Sequence, residues 1–440
     1  MDALKQLPSV DQVLQRLGPA VASWPHQVVV REIREVLNGQ RKAVKAGSVV
    51  QPDLDAIVQS RLYQLGEKSL RRVINATGVV LHTNLGRSPL VAFEPISGYS
   101  NLEYDLEAGN RGKRDVHTAR LLERLIERPA ILANNNAAAV FLVLHEMAAG
   151  GEVIVSRGEL IEIGDGFRIP EIMSRSGAVL REVGTTNRTN LADYADAITP
   201  KTRLIMRVHP SNFRVTGFAG RPSLKDLAEL GRIKGIPVYE DLGSGCLTNL
   251  RSQGIDEPLV SETVAAGVNL LSFSCDKLLG GPQTGIIAGD ADLVARVRRN
   301  PMYRAFRVDK LIIQALEATL LALLHEDWPA IPALRMIFAS ADELKQRAER
   351  VSEALGAIAT IREGASPIGG GSTPDQMLPT WLVELAMPNP NAFERDLRRA
   401  EPPVIARIEK DKVVFDMRTI ADSEIAGLVA TILHCSVQSK

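Results

Sequence analysis

Lys277 stands between an apolar run and a glycine pair in the sequence SFSCDKLLGGPQTG, residues 272–285. Ser274 precedes it by three residues, a spacing often found where a lysine forms a Schiff base with pyridoxal phosphate and the serine hydroxyl meets the phosphate. A lysine at the end of a strand is more often an ordinary surface residue, so this spacing alone is weak evidence. Lys277 and Ser274 are therefore candidates that need support from the rest of the chain.

A candidate phosphate site lies upstream, in ILANNNAAAVFLVLHEM, residues 131–147. This segment is predicted to run from a strand into a helix. Asn135, Asn136 and Ala137 would then supply small side chains and backbone N–H groups at the N-terminus of the helix, where anions bind. The alternative is an ordinary helix cap made from asparagines.

A carboxylate, Asp241, ends the apolar run in GIPVYEDLGSG, residues 235–245. An unpaired charge at the end of a buried strand is costly, so Asp241 needs a cationic partner. The pyridinium nitrogen of pyridoxal phosphate is such a partner, because the aspartate favours its protonated form and the ring can then accept carbanion electrons. The chain order of phosphate loop, aspartate and lysine is that of the aspartate-aminotransferase-like (fold type I) enzymes that use pyridoxal phosphate.

The elements that would position these residues alternate between short apolar runs and helical patterns from residue 71 to 325. Five runs indicate strands: EVIVS, AVLREV, RLIMRV, IPVYED and NLLSFS. This alternation predicts an α/β domain with a mostly parallel sheet covered by helices on both faces. Ligands bind beyond the carboxyl ends of strands in such sheets, which is where Asp241, His209 and Lys277 stand. His209 could contact the cofactor ring or its phenolic oxygen, with a hydrogen-bonded core histidine as the alternative.

Two smaller regions flank this large domain. Residues 1–70 carry helical patterns, with a capping box that starts at Ser9 and a further helix capped by Asp53. Residues 1–72 hold eleven basic and seven acidic residues, a net charge of +4, with basic side chains concentrated near the end of one helix. That cluster is either a solvated helix face or a nucleic-acid contact. Residues 326–440 combine helices with a strand and a strand pair, which predicts a small C-terminal α+β domain.

The composition limits the class of protein. Lysine plus arginine equal aspartate plus glutamate at 52 each, so a nucleic-acid partner would have to bind a local patch. The three cysteines, Cys246, Cys275 and Cys435, are far apart and lack CxxC or His/Cys metal spacing, which fits a reducing, cytosolic compartment. The first residues lack the apolar core of a signal peptide, and no apolar run reaches about 18 residues, so no membrane span is expected.

Seven segments match the motifs of one family. They are RRVINATGVVLHTNLGRSPL (71–90), GYSNLEYDLEAGNRGKRD (98–115), NNNAAAV (134–140), EVIVSRGELIEIG (152–164), EVGTTNRT (182–189), DLGSG (241–245) and DKLLGGPQTGII (276–287). These segments resemble the bacterial selenocysteine synthase family, the L-seryl-tRNA(Sec) selenium transferases. The resemblance covers nearly the whole chain, and NATGVVLHTNLGR together with DKLLGGPQTG is highly specific.

The resemblance implies pyridoxal phosphate as cofactor and a specific reaction. Serine esterified to its selenocysteine tRNA would join the cofactor through its amine, Lys277 would remove the α-proton, and selenium from selenophosphate would replace the β-hydroxyl. Release of the hydroxide requires a proton, and Asp276 is a candidate for donating it. A structural pairing of Asp276 with an arginine is an equal alternative. Arg87, Arg304 and Arg307 would hold selenophosphate, because guanidinium groups match phosphate oxygens in pairs; salt bridges to neighbouring acids are the alternative.

The resemblance also implies tRNA binding and assembly. The N-terminal helical domain would bind the body of the tRNA, and its basic side chains, which give the region its net charge of +4, would contact the tRNA phosphates. The region has few aromatic side chains, Trp24 and Tyr63, which favours recognition of RNA shape and backbone over base stacking. The family implies a homo-oligomer, a ring-shaped decamer of dimers, in which one subunit presents tRNA to the active site of another.

The sequence departs from the family pattern at three places. The segment VAFEPIS (91–97) is short and its Pro95 disfavours a helix, the approach RLIERPAILANNN (124–136) is trimmed, and Cys275 stands where the family has glycine. These departures affect the predicted geometry around Arg87 and around the loop that carries the lysine.

Two rival functions are compatible with part of this pattern. A related pyridoxal phosphate lyase acting on a small amino-sugar phosphate would keep Lys277 and Asp241, but would have no use for a basic tRNA-binding region. A non-catalytic tRNA-binding relative would have no use for the lysine, the aspartate and the phosphate loop. The combination of both features favours the selenium transferase.

Overall fold

In a computed structural model, the chain forms two compact units, Met1–Arg72 and Val73–Lys440. The structure describes residues 4, 7–47, 53–163, 166–211, 213, 215, 217–370, 373 and 375–438. Within these ranges, no helix is long and apolar enough to cross a membrane. The predicted boundary between a large and a small domain at residue 325 falls inside the second unit and stays a prediction.

The first unit is a small helical core. Its helices are α1 (Val10–Leu17), α2 (His26–Lys45) and α3 (Leu54–Gly66). Both predicted caps are confirmed, because Ser9 and Gln12 form a capping box and Asp53 Oδ1 accepts a hydrogen bond from the N–H of Ala56 at 2.9 Å. Apolar side chains on the facing sides of the three helices pack into one cluster, which gives this unit its own core.

The second unit alternates strands and helices along most of its length. The strands are β1 (Ile74–Asn75), β2 (Tyr104–Asp105), β3 (Asn110–Arg111), β4 (Ala130–Ala133), β5 (Glu152–Ser156), β6 (Glu162–Ile163), β7 (Phe167–Arg168), β8 (Val179–Val183), β9 (Thr202–Val208), β10 (Val238–Gly243), β11 (Leu270–Ser274), β12 (Gly285–Gly289), β13 (Ala359–Pro367), β14 (Met377–Leu385), β15 (Val404–Ile405), β16 (Arg407–Glu409) and β17 (Lys412–Asp416). The helices are α4 (Val116–Ile126), α5 (Asn136–Ala148), α6 (Ile169–Ser176), α7 (Leu191–Ala197), α8 (Leu224–Lys234), α9 (Val260–Ala265), α10 (Ala291–Arg299), α11 (Lys310–Leu324), α12 (Pro332–Phe338), α13 (Ala341–Leu355), α14 (Pro390–Arg399) and α15 (Ile425–Gln438).

A seven-stranded sheet forms the centre of this unit, in the order β4-β12-β11-β10-β9-β5-β8. Neighbouring strands are parallel except at β12, which is antiparallel to both β4 and β11. The five strands predicted from the sequence are β5, β8, β9, β10 and β11, so the mostly parallel sheet is confirmed. Ile154 belongs to one apolar cluster and Val153 and Val155 to another, because successive side chains of a strand point to opposite faces.

The topology brings the predicted site residues to one edge of this sheet. The parallel strands β9, β10 and β11 are neighbours, and their carboxyl ends lie side by side. His209 directly follows β9, Asp241 lies near the end of β10, and Lys277 comes three residues after the end of β11. A ligand at this edge therefore meets residues from three strands at once.

A four-stranded antiparallel sheet, in the order β13-β14-β17-β16, lies in the C-terminal part of the unit. The predicted helices DELKQRAERVSEAL and NAFERDLRRA are confirmed as α13 and α14, and the predicted strand TWLVELA is confirmed as β14. The glycine-rich break IGGGS, residues 368–372, lies partly outside the described residues.

A buried carboxylate, Asp416 in β17, contacts side chains of the other three strands of this small sheet. It is fully buried and accepts hydrogen bonds from Ser366 Oγ at 2.9 Å and from Thr380 Oγ1 at 2.7 Å. The guanidinium of Arg407 lies 3.2 Å from its Oδ2. Each of these donors would lose a partner without the carboxylate.

We expect Asp416→Ala to lower the free energy of unfolding by about 3–5 kcal/mol, because the change leaves the buried hydroxyls of Ser366 and Thr380 without this acceptor and removes the carboxylate whose charge acts on the buried guanidinium of Arg418. The matched control is Asp422→Ala, which removes an exposed carboxylate paired with Arg347 and should cost less than about 1 kcal/mol. Urea denaturation of both variants measures the difference. Equal losses of stability would contradict the role given to Asp416.

Candidate active site

Asp241 is a buried carboxylate near the carboxyl end of β10. Its Oδ1 accepts hydrogen bonds from Asn136 Nδ2 at 2.8 Å and from the N–H of Gly243 at 3.1 Å. Burial raises the pKa of Asp241, while these two donors and the charge of Lys277 act in the opposite direction. A buried carboxylate of this kind favours a cation placed against it, which is the property expected of a partner for a pyridinium nitrogen.

Lys277 lies in the loop after β11 and is only 5% exposed. Burial lowers the pKa of its ammonium group, and the nearby charge of Arg87 acts in the same direction. Three carboxylates oppose these effects: Asp241, Asp276 and Glu257. A lowered pKa increases the share of neutral amine, which is the form that reacts with a carbonyl.

Gly243 lies close to both Ser211 and the lysine nitrogen. Its backbone has φ +71°, and a Cβ atom there would lie 3.3 Å from Ser211 Oγ and 3.9 Å from Lys277 Nζ. Ser211 Oγ is buried and makes no hydrogen bond to any described residue, and the same is true of Asn136 Oδ1. A polar ligand bound near these residues could satisfy such atoms.

The loop that carries Lys277 is fixed by its neighbour Asp276. Ser274 Oγ donates to Asp276 Oδ1 at 2.6 Å, and Arg87 Nη1 lies 2.7 Å from Asp276 Oδ2. The N–H of Ser88 donates to the backbone oxygen of Asp276 at 3.2 Å. Asp276 is therefore paired with an arginine, which was the alternative role considered for it from the sequence. The hydroxyl of Ser274 donates its hydrogen bond to Asp276.

The structure accommodates two of the departures from the family pattern. Residues 91–97 form neither helix nor strand, so the prediction that Pro95 disfavours a helix there is confirmed. Cys275 is fully buried in the apolar core, and its N–H donates to the oxygen of Thr284 at 2.9 Å.

Arg87 has a left-handed backbone conformation, with φ +62°. This conformation costs a residue with a side chain about 1–2 kcal/mol and occurs most often where a functional site requires it.

The N-terminus of α5 reaches the same edge of the sheet. Asn135 is the N-cap, and its side chain accepts a hydrogen bond from the N–H of Ala138 at 2.8 Å. The side chain of Asn136 instead reaches Asp241. Helical N–H groups of the first turn, which include those of Asn136 and Ala137, have no acceptor within the helix and suit an anion. The side chain of Asn135 therefore acts as a helix cap, as the alternative interpretation predicted. The backbone N–H groups in the first turn of α5 remain the candidate phosphate site.

His209 is held at the end of β9 by its backbone, whose N–H donates to the oxygen of Asp241 at 2.9 Å. Its Nε2 lies 3.6 Å from Oε1 of Glu257, a buried carboxylate. Both side chains line a cavity of about 480 Å³. His209 therefore faces a cavity instead of being enclosed in the apolar core.

Arg304 and Arg307 line a second cavity, of about 520 Å³. This stretch is tied to the start of α5, because the N–H of Asn134 donates to the oxygen of Phe306 at 2.9 Å. Glu103 Oε1 lies 3.3 Å from Arg307 Nη1. Two of the three arginines predicted to bind the donor thus share one cavity next to the candidate phosphate site.

The wall of this second cavity is strongly cationic. Among the described residues, six basic side chains line it with two carboxylates: Arg111, Lys113, Arg114, Arg298, Arg304 and Arg307, with Glu103 and Asp115. Glu103 also accepts hydrogen bonds from Arg111 at 3.0 Å and from Arg114 at 2.8 Å, so one carboxylate orients three arginines. Arg87 is absent from this lining and lies against Asp276.

Family models match both units of the chain. The model described as L-seryl-tRNA selenium transferase matches residues 73–421, and the model described as selenocysteine synthase N terminal matches residues 4–39. The first of these covers well over half of the chain. The chain belongs to the L-seryl-tRNA selenium transferase family. The resemblance drawn from the sequence motifs is thereby confirmed.

Members of this family are similar to the chain along its whole length. The L-seryl-tRNA(Sec) selenium transferase of Solidesulfovibrio magneticus is 46% identical, with 98% of each chain covered. The protein of the same description from Aquifex aeolicus is 44% identical, again with 98% of each chain covered. That of Moorella thermoacetica is 45% identical over 98% of this chain and 96% of its own.

The solved structure of D-glucosaminate-6-phosphate ammonia-lyase is similar in fold. The TM-score is 0.58 at 20% sequence identity, and the match covers 86% of this chain and 98% of that chain. The predicted aspartate-aminotransferase-like (fold type I) α/β fold is confirmed. At this identity the likeness concerns the fold alone, so it gives no support to the amino-sugar phosphate lyase as the function.

Two carboxylates of this region were missed by the sequence analysis. Glu103 lies inside the motif GYSNLEYDLEAGNRGKRD, and a search for acids within the family motifs would have found it. Glu257 lies in a loop beyond the end of β10, and no local pattern marks it. Its partner His209 follows a different strand, so only the folded chain brings the two together.

Proposed function

We propose that this chain converts seryl-tRNA(Sec) to selenocysteinyl-tRNA(Sec), with selenophosphate as the selenium donor and pyridoxal phosphate as the cofactor. The observation that carries the proposal is the identity of 44–46% along the full length of L-seryl-tRNA(Sec) selenium transferases. The positions of Lys277 and Asp241 support the cofactor. The basic first unit supports a tRNA substrate, for which a small-molecule lyase has no use.

The residues at the carboxyl ends of β9, β10 and β11 fit pyridoxal phosphate. Lys277 offers a buried amine with a lowered pKa, and Asp241 offers a buried carboxylate. Two buried polar atoms without a recorded hydrogen bond lie next to these groups: Ser211 Oγ, close to Gly243, and Oδ1 of Asn136, whose Nδ2 donates to Asp241. When bound, pyridoxal phosphate would supply an electron sink for the carbanion at the α-carbon of the serine.

Lys277 and Asp276 have different roles in the proposed reaction. Burial lowers the pKa of the Lys277 amine and so increases the share of its neutral, basic form, and Lys277 is therefore assigned the α-proton of the serine. Asp276 is bonded to Ser274 and Arg87, and it holds the loop in which the lysine stands. These bonds support a positioning role for Asp276 more strongly than transfer of a proton to the leaving hydroxide.

We assign selenophosphate to the cationic cavity lined by Arg304 and Arg307. Its excess of basic side chains suits a small, multiply charged anion, and guanidinium groups bind phosphate oxygens in pairs. Arg87 uses Nη1 for Asp276. A guanidinium carries five N–H groups, so those that do not contact Asp276 can still bind selenophosphate.

Glu103→Gln is expected to raise the KM for selenophosphate about tenfold and to leave the KM for seryl-tRNA(Sec) unchanged. The charged hydrogen bonds of Glu103 orient Arg307 and Arg114, and the loss of one such bond is worth about 1.5 kcal/mol. Steady-state kinetics with each substrate varied in turn measure the effect.

Glu107→Gln is the matched control, because it removes an exposed carboxylate from the same sequence motif and should leave both KM values unchanged. A lower KM for selenophosphate in Glu103→Gln would contradict the positioning role, since it would mean that Glu103 competes with the donor for the arginines.

The first unit offers a basic surface for the body of the tRNA. Arg41, Lys42 and Lys45 are exposed in the last turns of α2, where their charges can meet phosphates. The ring-shaped decamer of dimers and the cytoplasmic location follow from the family and belong to this proposal. The buried free thiols of Cys246, Cys275 and Cys435 are compatible with a reducing compartment.

The proposal is tested by mixing the protein loaded with pyridoxal phosphate, selenophosphate and the host's selenocysteine tRNA charged with serine. The amino acid released from the tRNA by mild base is identified by mass spectrometry. Selenocysteine is expected in place of serine. A yellow protein that leaves the serine unchanged and releases ammonia from an amino-sugar phosphate would establish the lyase instead.

A further inference from the structure

Glu257 is a buried carboxylate that the proposed reaction does not use. Its side chain is 3% exposed, and its Oε1 accepts no hydrogen bond from the part of the chain that the structure describes. The partner recorded for it is the imidazole of His209, at 3.6 Å from Nε2 to Oε1. A buried carboxylate with an unsatisfied oxygen is costly to fold, so its position calls for a function.

His209 is already fixed at its backbone. Its N–H donates to the oxygen of Asp241 at 2.9 Å, and its own oxygen accepts a hydrogen bond from the N–H of Ser211 at 2.8 Å. The ring can still turn about its side-chain bonds. A small rotation would bring Nε2 from 3.6 Å to hydrogen-bonding distance of Glu257 Oε1, and a ring held in this way would present Nδ1 for another contact.

His209 and Glu257 lie close to the site of Lys277. The charge of His209 acts on Asp241, and the charge of Glu257 acts on Lys277. Both side chains line the cavity of about 480 Å³. The pair is therefore within electrostatic reach of the two groups proposed to hold the cofactor.

We propose that Glu257 is a positioning residue that acts through His209 to fix the imidazole against bound pyridoxal phosphate. The inference rests on the proposed function, because it takes the cofactor at Lys277 as given. It assigns Glu257 no direct contact with the seryl-tRNA.

The test compares Glu257→Gln, His209→Gln and the double variant, each loaded with pyridoxal phosphate. Gln keeps the size of the glutamate side chain and removes its charge. Glu257→Gln is expected to weaken cofactor binding about tenfold and to change the visible absorbance spectrum of the bound cofactor at neutral pH. In the His209→Gln background the same substitution is expected to leave the cofactor affinity unchanged, because the two residues act as one unit; the spectrum can still respond there, since the charge of Glu257 also acts on Lys277.

Glu262→Gln is the matched control, since Glu262 lines the same cavity but is half-exposed and pairs with Arg251. It should bind the cofactor as the wild type does. An unchanged affinity and spectrum in Glu257→Gln would overturn the inference, as would an equal loss with and without His209. Thermal melting of each loaded variant separates a lost contact from a misfolded protein.

These outcomes are distinct from failure of the proposed function. A wild-type protein that takes up no pyridoxal phosphate would refute the proposed cofactor itself. A yellow wild-type protein whose Glu257→Gln variant is indistinguishable from it would refute the positioning role alone.

Discussion

Lys277→Ala is expected to lower the rate of selenocysteine formation by at least about 10³-fold. The substitution removes both the amine that would hold the cofactor and the base for the α-proton, and positioned bases alone contribute about 10²- to 10⁴-fold. The rate is measured from the amino acid released from the tRNA, with seryl-tRNA(Sec) and selenophosphate at saturating concentrations. The variant is also expected to lose the yellow colour that the loaded wild type shows.

Lys225→Ala provides the matched control for this prediction, because it removes an exposed lysine from α8 in the same unit. It should retain wild-type activity and colour. A Lys277→Ala protein that melts like the wild type and keeps more than about a tenth of its rate would show that another group does the chemistry.

Asp241→Asn is expected to lower kcat about 10³-fold with little change in the KM for seryl-tRNA(Sec). The amide has the shape of the carboxylate but no charge, so it cannot favour a protonated pyridinium nitrogen. The loss should therefore fall on the chemical step and not on binding of the tRNA. Steady-state kinetics and the absorbance of the bound cofactor measure the two effects.

Glu240→Gln is the control on the same strand. Glu240 is the neighbour of Asp241 in β10, and its side chain points to the opposite face of the sheet, where it accepts a hydrogen bond from Thr263 Oγ1 at 2.7 Å. This variant should retain kcat within about tenfold. A similar loss of kcat in both variants would mean that disturbance of β10, and not the missing charge of Asp241, lowers kcat.

Much of the central sheet could be predicted because its strands are short apolar runs that alternate with helical patterns. The strands β5, β8, β9, β10 and β11 all follow this rule. The strand β13 of the four-stranded sheet breaks this rule, because its sequence ATIREGASP mixes charged, polar and small residues. It is held in its sheet by backbone pairing with β14. The strand β12, with the sequence GIIAG, is too short and too rich in glycine to stand out from a loop.

The site was predictable to the extent that it lies at the ends of strands. Asp241, His209 and Lys277 each follow or end an apolar run, and parallel neighbours bring such positions together. The contacts that orient these residues were not predictable. The pair of Arg87 and Asp276 joins residues that are 189 positions apart, and the pair of His209 and Glu257 joins a strand end to a distant loop.

Reduction of the loaded protein with borohydride, followed by proteolysis and mass spectrometry, locates the residue that carries the cofactor. This residue should be Lys277, because its buried amine lies close to Gly243 and within electrostatic range of Asp241. The expected result is the mass of a reduced phosphopyridoxyl group on the peptide that contains DKLLGG, residues 276–281, and on no other peptide. A stable modification at a different lysine, or none in a protein that binds the cofactor tightly, would contradict the assignment of this site.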